Sequence, residues 1–334
     1  MKHTLLQKSP VVARVLSSAL ALALLGLTTG AQAAPPSKVK IGYNTDDLEK
    51  AKKTGFDFAE VLVKNFTALS DEDFAKFLEK HKAVGIPTPV GNNFIPVDLK
   101  LVGPEVDKDK QMEYVRKAFD RAQKLGLQVI VLGSGGARKV PEGFSKDEAW
   151  KQLVDFAKRI APEAKKRGIV VAVEPLQKGE TNTINTAAEG LKWVQAVGHP
   201  NFKLMVDFYH LSLEKEDPSI LVTAKKHIKH IHIANPYLRQ FPMSSEEFDY
   251  STFFATLKKI NYQGGISIEG KTTDFDNQGP KALSFLRAAV ESGVKPPSSP
   301  PPPATPAPPA KPVAAAPAPA PAAKPAATTP PPSK

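Results

Sequence analysis

The stretch AKKRGIVVAVEP at residues 164–175 contains the repeating unit that decides the fold. Basic residues lead to Gly168, a residue type that often ends a helix in the left-handed conformation. An apolar run follows in which nearly every residue is β-branched, and this composition predicts a buried strand. Glu174 then closes the run with a charge. A helix end, a turn, a strand and a polar strand terminus are therefore predicted within one short segment.

The same order of apolar run, turn and amphipathic stretch recurs through the middle of the chain, and it predicts eight strands: Val39–Tyr43, Phe58–Val63, Thr88–Phe94, Gln128–Leu132, Ile169–Glu174, Lys203–Asp207, Ile228–Ile233 and Gly265–Glu269. Between them, apolar residues recur at helical spacing, as at Leu153, Phe156 and Ile160. This alternation indicates a parallel sheet. Because no dinucleotide-binding glycine fingerprint follows the first strand, we predict an α/β fold with a single (β/α)8 TIM barrel over residues 34–293.

Local signals predict where individual helices begin and end. Ser70 followed by Asp73 indicates a capped helix start. Gly126, Gly168 and Gly264 each precede a predicted strand. We expect each of these glycines to adopt the left-handed backbone that ends the helix before it.

Both ends of the chain differ in composition from this barrel. Residues 1–33 carry three basic residues and no acid, then an apolar run ending in Ala31-Gln32-Ala33, which predicts a secretory signal peptide cleaved after Ala33. The alternative is an uncleaved anchor, for which the run is short. Residues 295–334 hold 17 of the 32 prolines and no acidic or aromatic residue, so a disordered Pro/Ala-rich tail is predicted for residues 294–334. We expect a periplasmic or secreted protein with no stable membrane insertion after cleavage.

The charge and the absence of cysteine exclude several classes of function. The 334-residue chain has a formal net charge of +11, but three of these charges lie in residues 1–33 and four in the tail. The predicted barrel is therefore only mildly basic, and its lysines recur beside acidic residues, so we expect no nucleic-acid partner. With no cysteine, disulfides and thiolate chemistry are excluded.

Polar side chains end four consecutive predicted strands. Glu174, Asp207 and Glu269 each close an apolar run, and His232 lies near the end of the seventh strand. The strand ends of a TIM barrel meet at its active-site face, and three carboxylates there would repel one another unless a cation were bound between them. Any one of these residues alone could be an ordinary helix cap. Oxygen and nitrogen ligands without sulfur predict one divalent metal ion, with Mn²⁺ favoured and Mg²⁺ or Co²⁺ as alternatives.

Two neighbouring motifs leave alternatives open. His230 shares a strand face with His232 and could compete for the metal; we favour His232, which is nearer the strand end, and expect His230 to be a hydrogen-bonded core residue. The turn Gly133-Ser134-Gly135-Gly136, followed by Arg138, could form a backbone nest for a phosphate. It could also serve tight barrel geometry, which is the interpretation we favour.

Four segments resemble one superfamily: VEPL at 173–176, VDFYH at 206–210, HIHIA at 230–234 and ISIE at 266–269. They are similar to the sugar phosphate isomerase/epimerase superfamily, the xylose isomerase-like barrels that include ketose 3-epimerases and hydroxypyruvate isomerase. The resemblance extends over residues 38–292. It implies that the four strand-end residues ligate the metal. It also implies that Glu174 and Glu269 remove and return a proton at a substrate carbon through a cis-enediolate.

The resemblance also implies substrate contacts and a substrate class. Glu180, His210 and Arg239 match substrate-binding positions, whereas Asn235 stands where some relatives carry an acid. The implied function is a metal-dependent sugar epimerase or isomerase acting on a small sugar or keto-sugar. Relatives are often dimers or tetramers, so the resemblance allows a homo-oligomer.

Three other functions fit the same fold. A lyase or dehydratase acting on keto-sugars or 3-keto-glycosides would use the same metal and base but expel a leaving group. An apurinic endonuclease needs additional histidines for three zinc ions, and the second to fourth strands end instead in Lys64, Asn92, Asn93 and Gly133. A carbohydrate-binding barrel without catalysis would keep the ligand set and lose little if a glutamate were replaced.

Overall fold

A computed structural model describes residues 39–300 and 302–306 of the chain. The predicted signal peptide, its cleavage site and most of the Pro/Ala-rich tail lie outside these residues, so export stays a prediction. Within the described part, no helix is long and apolar enough to cross a membrane.

Eight parallel strands close into a barrel in the order of the sequence, and the predicted TIM barrel is confirmed. The strands are β1 Lys40–Asn44, β2 Phe58–Leu62, β3 Val90–Asn92, β4 Val129–Leu132, β5 Val170–Val173, β6 Phe202–Asp207, β7 Ile228–Ile233 and β8 Gly265–Ile268. Strand β1 pairs with β8 as well as with β2, which closes the cylinder.

The third strand differs most from its predicted span of Thr88–Phe94. Pro89 has no N–H to contribute to the ladder, although its carbonyl accepts from the backbone of Gln128 and Val129. At the other end, Asn93 adopts a left-handed backbone with φ 53°. The regular strand is therefore limited to three residues.

Ten helices surround or flank the barrel in the described residues: α1 Leu48–Thr54, α2 Val63–Ala68, α3 Asp71–Val84, α4 Lys108–Lys124, α5 Lys146–Lys166, α6 Ala187–Val197, α7 Phe208–Leu213, α8 Ile220–Ala224, α9 Ser251–Lys259 and α10 Phe275–Ser292. Ser70 caps α3 by accepting from the backbone N–H of Asp73. Gly126 and Gly168 are left-handed as predicted. The prediction for Gly264 is wrong: α9 ends earlier, and the left-handed residue after it is Asn261, with φ 53°.

Two clusters of buried apolar residues pack these elements together. Helix residues such as Leu153, Phe156 and Ile160 are buried in the layer between strands and helices. The barrel interior holds a second cluster: Phe58, Val90, Val129, Val131, Ala172 and Met205. Because side chains alternate along a strand, the next inward position after three of these residues is acidic, at Glu60, Glu174 and Asp207. The interior apolar cluster therefore lies directly below a layer of buried acidic side chains, and we call the space around Glu60, Glu174 and Asp207 the polar chamber.

The first part of the predicted tail contacts the loop after β7. The backbone N–H of Thr305 donates to the carbonyl of Pro236 at 3.0 Å, and the N–H of Leu238 donates to the carbonyl of Thr305 at 3.3 Å. Ser298 donates to Glu246 through its backbone and its hydroxyl. Helix α10 ends at Ser292, one residue before the predicted domain boundary, and the described tail residues run beside the barrel mouth.

Candidate metal centre

Four side chains meet where strands β5 to β8 end. Glu174 directly follows β5, Asp207 is the last residue of β6, His232 lies in β7 and Glu269 directly follows β8. One ligand atom of each lies within 4.8 Å of the others. Three of them are buried, whereas the Glu269 side chain is 23% exposed. The structure thus brings the four predicted metal ligands together, with Glu269 on the side nearest solvent.

The imidazole of His232 turns one nitrogen toward the carboxylates. Its Nδ1 lies 3.0 Å from Oε2 of Glu269 and 3.4 Å from Oε1 of Glu174. Asp207 is the register partner of His232 across the β6–β7 pair. Nδ1 is therefore the nitrogen that can ligate a cation held by these groups.

The three carboxylates differ in their electrostatic surroundings. Burial, together with the charge of Glu269, raises the pKa of Glu174 to about 7. Burial also raises the pKa of Asp207 to about 6, although Arg239 opposes the shift. At Glu269 burial is outweighed by Arg239 and His232, which lower its pKa to about 2. Raised pKa values are what buried carboxylates show when they crowd one another without sufficient positive charge.

Arg239 supplies part of that positive charge from the loop after β7. Its Nη2 lies 2.6 Å from Oε2 of Glu269 and 3.3 Å from Oδ2 of Asp207, and its Nη1 lies 3.3 Å from Oε1 of Glu180. The guanidinium also lies over the ring of Tyr209, 4.7 Å from its centre. Two predicted substrate-contact residues, Arg239 and Glu180, therefore lie at the edge of the carboxylate cluster.

His210, the third predicted substrate contact, lies in α7 beside Asp207 and is a hydrogen-bond donor toward the site. Its Nδ1 accepts from the backbone N–H of Gln177 at 3.2 Å, so the ring hydrogen is on Nε2. That Nε2 lies 3.6 Å from Oδ2 of Asp207 and 3.9 Å from Oε1 of Glu174. Burial lowers the pKa of His210 well below its usual value, so the ring is neutral.

Two buried polar atoms in this chamber test whether a cation fits. Oε1 of Glu174 and Nε2 of His210 have no hydrogen-bond partner among the described residues. A buried polar atom without a partner is costly, and the Glu174 atom faces the space enclosed by the other ligands. Three carboxylates and one imidazole form a donor set typical of Mn²⁺, Mg²⁺ or Co²⁺. The residues present therefore fit the predicted ion.

Two further side chains of the chamber were not predicted as site residues. Asn92, at the end of β3, donates from Nδ2 to Oε1 of Glu269 at 2.9 Å. Glu60, fully buried in β2, contacts both His232 and His230. Burial would raise the pKa of Glu60, but the two histidines lower it far below its usual range. The sequence did contain a signal for Glu60, which is an acid inside the apolar run FAEVL. A charge in a buried strand is tolerated only when it has a partner, so a paired role could have been predicted. As expected, His230 is a hydrogen-bonded core residue.

The glycine-rich turn after β4 supports Glu174, and the side chain of its Arg138 is used within the protein. The buried side chain of Arg138 donates to the carbonyls of Gly133 and Glu174, each at 2.7 Å, and to that of Thr183 at 2.9 Å. Its donors are therefore directed at backbone oxygens instead of a ligand. Gly133 has its own role, because a Cβ atom there would lie 2.3 Å from Oε2 of Glu174.

Replacing Gly133 should therefore disturb the site without disturbing the barrel. We expect Gly133→Ala to lower turnover about 100-fold, because a displacement of roughly 1 Å at a reacting group can have that effect. Gly136→Ala on the same turn is the matched control, since its Cβ would meet only the exposed side chain of Val97, which can move away into solvent. Steady-state rates of both variants check the prediction. Equal rates in the two variants would show that the close approach to Glu174 has no catalytic importance.

Metal affinity should depend on pH through Glu174. A ligand must lose its proton before it binds a cation, and the pKa of Glu174 is raised to about 7. As the pH falls below 7, protons compete with the metal, and the apparent affinity for Mn²⁺ should fall by about tenfold per pH unit for this one group. Asp207, with its pKa near 6, steepens the fall at lower pH. Mn²⁺ titrations between pH 5.5 and 8 measure the slope, and an affinity that is constant over that range contradicts the prediction.

Comparison with known proteins relates this geometry to a family. A family model described as a xylose isomerase-like TIM barrel matches residues 48–289. An L-ribulose 3-epimerase of Methylomonas sp. (strain DH-1) is 26% identical over 234 residues, which are 67% of this chain and 77% of the relative. A D-psicose 3-epimerase of Agrobacterium fabrum is 27% identical over 239 residues, with 66% and 77% covered.

A solved structure shows the same fold. The D-psicose 3-epimerase of Clostridium cellulolyticum H10, determined with D-tagatose, aligns with a TM-score of 0.68 at 21% identity. The alignment covers 76% of this chain and 100% of that one. The fold similarity therefore extends over the whole length of that enzyme.

Proposed function

Because the chain belongs to the xylose isomerase-like TIM barrel family, as its sequence resemblance predicted, we propose that it is an exported, divalent-metal-dependent epimerase or isomerase of small ketoses. The relatives described above are ketose 3-epimerases, which supports an enzyme of the isomerase class. The observation that carries the proposal is the meeting of Glu174, Asp207, His232 and Glu269 within 4.8 Å. Export rests on the predicted signal peptide.

In the proposed mechanism these four residues would hold a divalent cation at the barrel mouth. A bound divalent cation would withdraw charge from the carbonyl and hydroxyl oxygens of the sugar and make the intervening C–H bond more acidic. Asn92 and Arg239 fix Glu269 from two sides, through Oε1 and Oε2 respectively. Glu269 is thus held in one orientation before the sugar arrives.

Glu174 and Glu269 carry the proton transfers. One carboxylate accepts the proton from the substrate carbon, which leaves an enediolate, and the other returns a proton to the opposite face. General acid–base catalysis of this kind is efficient when the pKa of the group lies near the working pH. Burial at Glu174 moves its pKa in that direction.

Three residues next to the ligands orient the sugar. His210 offers an Nε2–H that has no partner among the described residues, so it can donate to a substrate oxygen. Arg239 and Glu180 lie 3.3 Å apart at the solvent side of the cluster, where a sugar hydroxyl can reach both a donor and an acceptor. The buried ring of Tyr209 packs against the Arg239 guanidinium and helps to hold it in place.

The proposal is tested with a panel of free ketoses that includes D-psicose, D-tagatose, D-fructose and L-ribulose. The full chain should convert at least one of them into its epimer or isomer in the presence of Mn²⁺, as measured by NMR of the product mixture, and a chelator should abolish the conversion. No conversion of any sugar, with aglycone released from a 3-keto-glycoside, would favour the lyase alternative. Neither reaction in a metal-loaded protein would favour a binding barrel.

A further inference from the structure

A buried carboxylate below the metal centre carries a further inference. Glu60 lies in β2 and is 0% exposed. Its Oε1 is 2.8 Å from Nε2 of His232, and its Oε2 is 3.1 Å from Nε2 of His230. Both oxygens of one carboxylate therefore face ring nitrogens of two histidines on the same strand.

The two nitrogens of His232 have different surroundings. Nε2 points down to Glu60, whereas Nδ1 points up to Glu269 and Glu174. The ring thus spans the distance between Glu60 and the candidate metal ligands. A neutral imidazole has one N–H and one free lone pair. If Nε2 carries the hydrogen and donates it to Glu60, Nδ1 keeps the lone pair that can bind a metal ion.

We propose that Glu60 is a positioning residue that holds the hydrogen of His232 on Nε2 and fixes the ring, so that the lone pair of Nδ1 faces the metal. This inference rests on the proposed metal-dependent function. Carboxylates that accept from the second nitrogen of a ligating histidine fix its tautomer and raise its basicity. If the hydrogen were on Nδ1 instead, it would occupy the position of the cation.

The surroundings of Glu60 suit this role. His230 Nε2 lies within hydrogen-bond distance of both Glu60 and the hydroxyl of Ser267, at 3.1 and 3.0 Å. His230 and His232 are two positions apart in β7, so their side chains lie on the same face of the strand, toward the barrel interior. Glu60 contacts both of them from strand β2. His230 therefore fixes the Oε2 atom of Glu60, while the Oε1 atom of the same carboxylate contacts His232.

The test measures metal binding and not sugar turnover. We expect Glu60→Gln to weaken Mn²⁺ binding about 10- to 100-fold, as changes to such supporting carboxylates do, measured by the loss of the free-Mn²⁺ signal in electron paramagnetic resonance. Thr88→Val is the matched control, because it removes the 2.7 Å hydroxyl contact of another buried histidine, His81, away from the site. Its Mn²⁺ affinity should remain within twofold of the wild type. An unchanged affinity in Glu60→Gln overturns the inference.

A second measurement does not depend on folding of the variant. In the wild-type protein loaded with diamagnetic Zn²⁺, long-range ¹H–¹⁵N correlation should show the His232 hydrogen on Nε2. A hydrogen on Nδ1, or an unprotonated Nε2, contradicts the inference while leaving the metal site intact. A wild-type protein that binds neither Mn²⁺ nor Zn²⁺ would overturn the proposed function and this inference together, so the two failures are distinguishable.

Discussion

Glu269→Gln is expected to lower the rate of ketose epimerisation about 1000-fold while the barrel remains folded. The amide has nearly the shape of the carboxylate, so Asn92 can remain close by, but it cannot accept a proton from carbon. Loss of a general base typically reduces turnover by about 100- to 10,000-fold. Glu174→Gln should have a comparable effect, because the two residues perform the two halves of one proton exchange.

The control separates chemistry from metal loading. Both variants are assayed at Mn²⁺ concentrations well above their own measured dissociation constants, because each residue is also a proposed ligand. Glu72→Gln, whose side chain is 79% exposed in α3, should retain full activity. If either site variant at saturating Mn²⁺ keeps more than a tenth of wild-type turnover, that glutamate is not an essential acid or base.

The second large effect concerns stability. A ligand at 100 times its dissociation constant stabilises the folded state by about 2.7 kcal/mol, which for a barrel of this size corresponds to a rise in Tm of about 5–10 °C. We expect saturating Mn²⁺ to produce this rise, because the cation neutralises the buried carboxylates of Glu174 and Asp207. Differential scanning calorimetry with and without a chelator measures it.

Asp207→Ala removes a ligand and should abolish the Mn²⁺-dependent rise in Tm. The metal-free variant should not be much less stable than the metal-free wild type, since one of the mutually repelling carboxylates has been removed. An equal rise in Tm in the variant and the wild type would place the Mn²⁺ site elsewhere in the molecule.

The sequence was sufficient for the barrel and for the candidate ligands because both leave local signals. Each strand is an apolar run with a turn before it, and Glu174, Asp207 and Glu269 end such runs. Their convergence then follows from the topology of a TIM barrel, in which the carboxyl ends of all the strands lie at one face.

Long-range contacts could not be read in this way. The partners of Glu60 lie 170 and 172 residues away in the sequence, and only barrel closure brings them together. Arg138 resembled a phosphate ligand because its neighbours are glycines, yet its partners are carbonyls contributed by separate loops. Gly264 was misassigned because α9 ends before the glycine, where Asn261 adopts the left-handed conformation instead.

The most direct test of the proton-exchange account is the conversion of a ketose in heavy water with Mn²⁺-loaded protein. The account predicts that the product carries deuterium at the carbon whose configuration or oxidation state has changed, and that a chelator abolishes both conversion and incorporation. Conversion at full rate without incorporation of deuterium would contradict it, because the hydrogen would then move within the sugar and the two glutamates would not exchange protons with solvent.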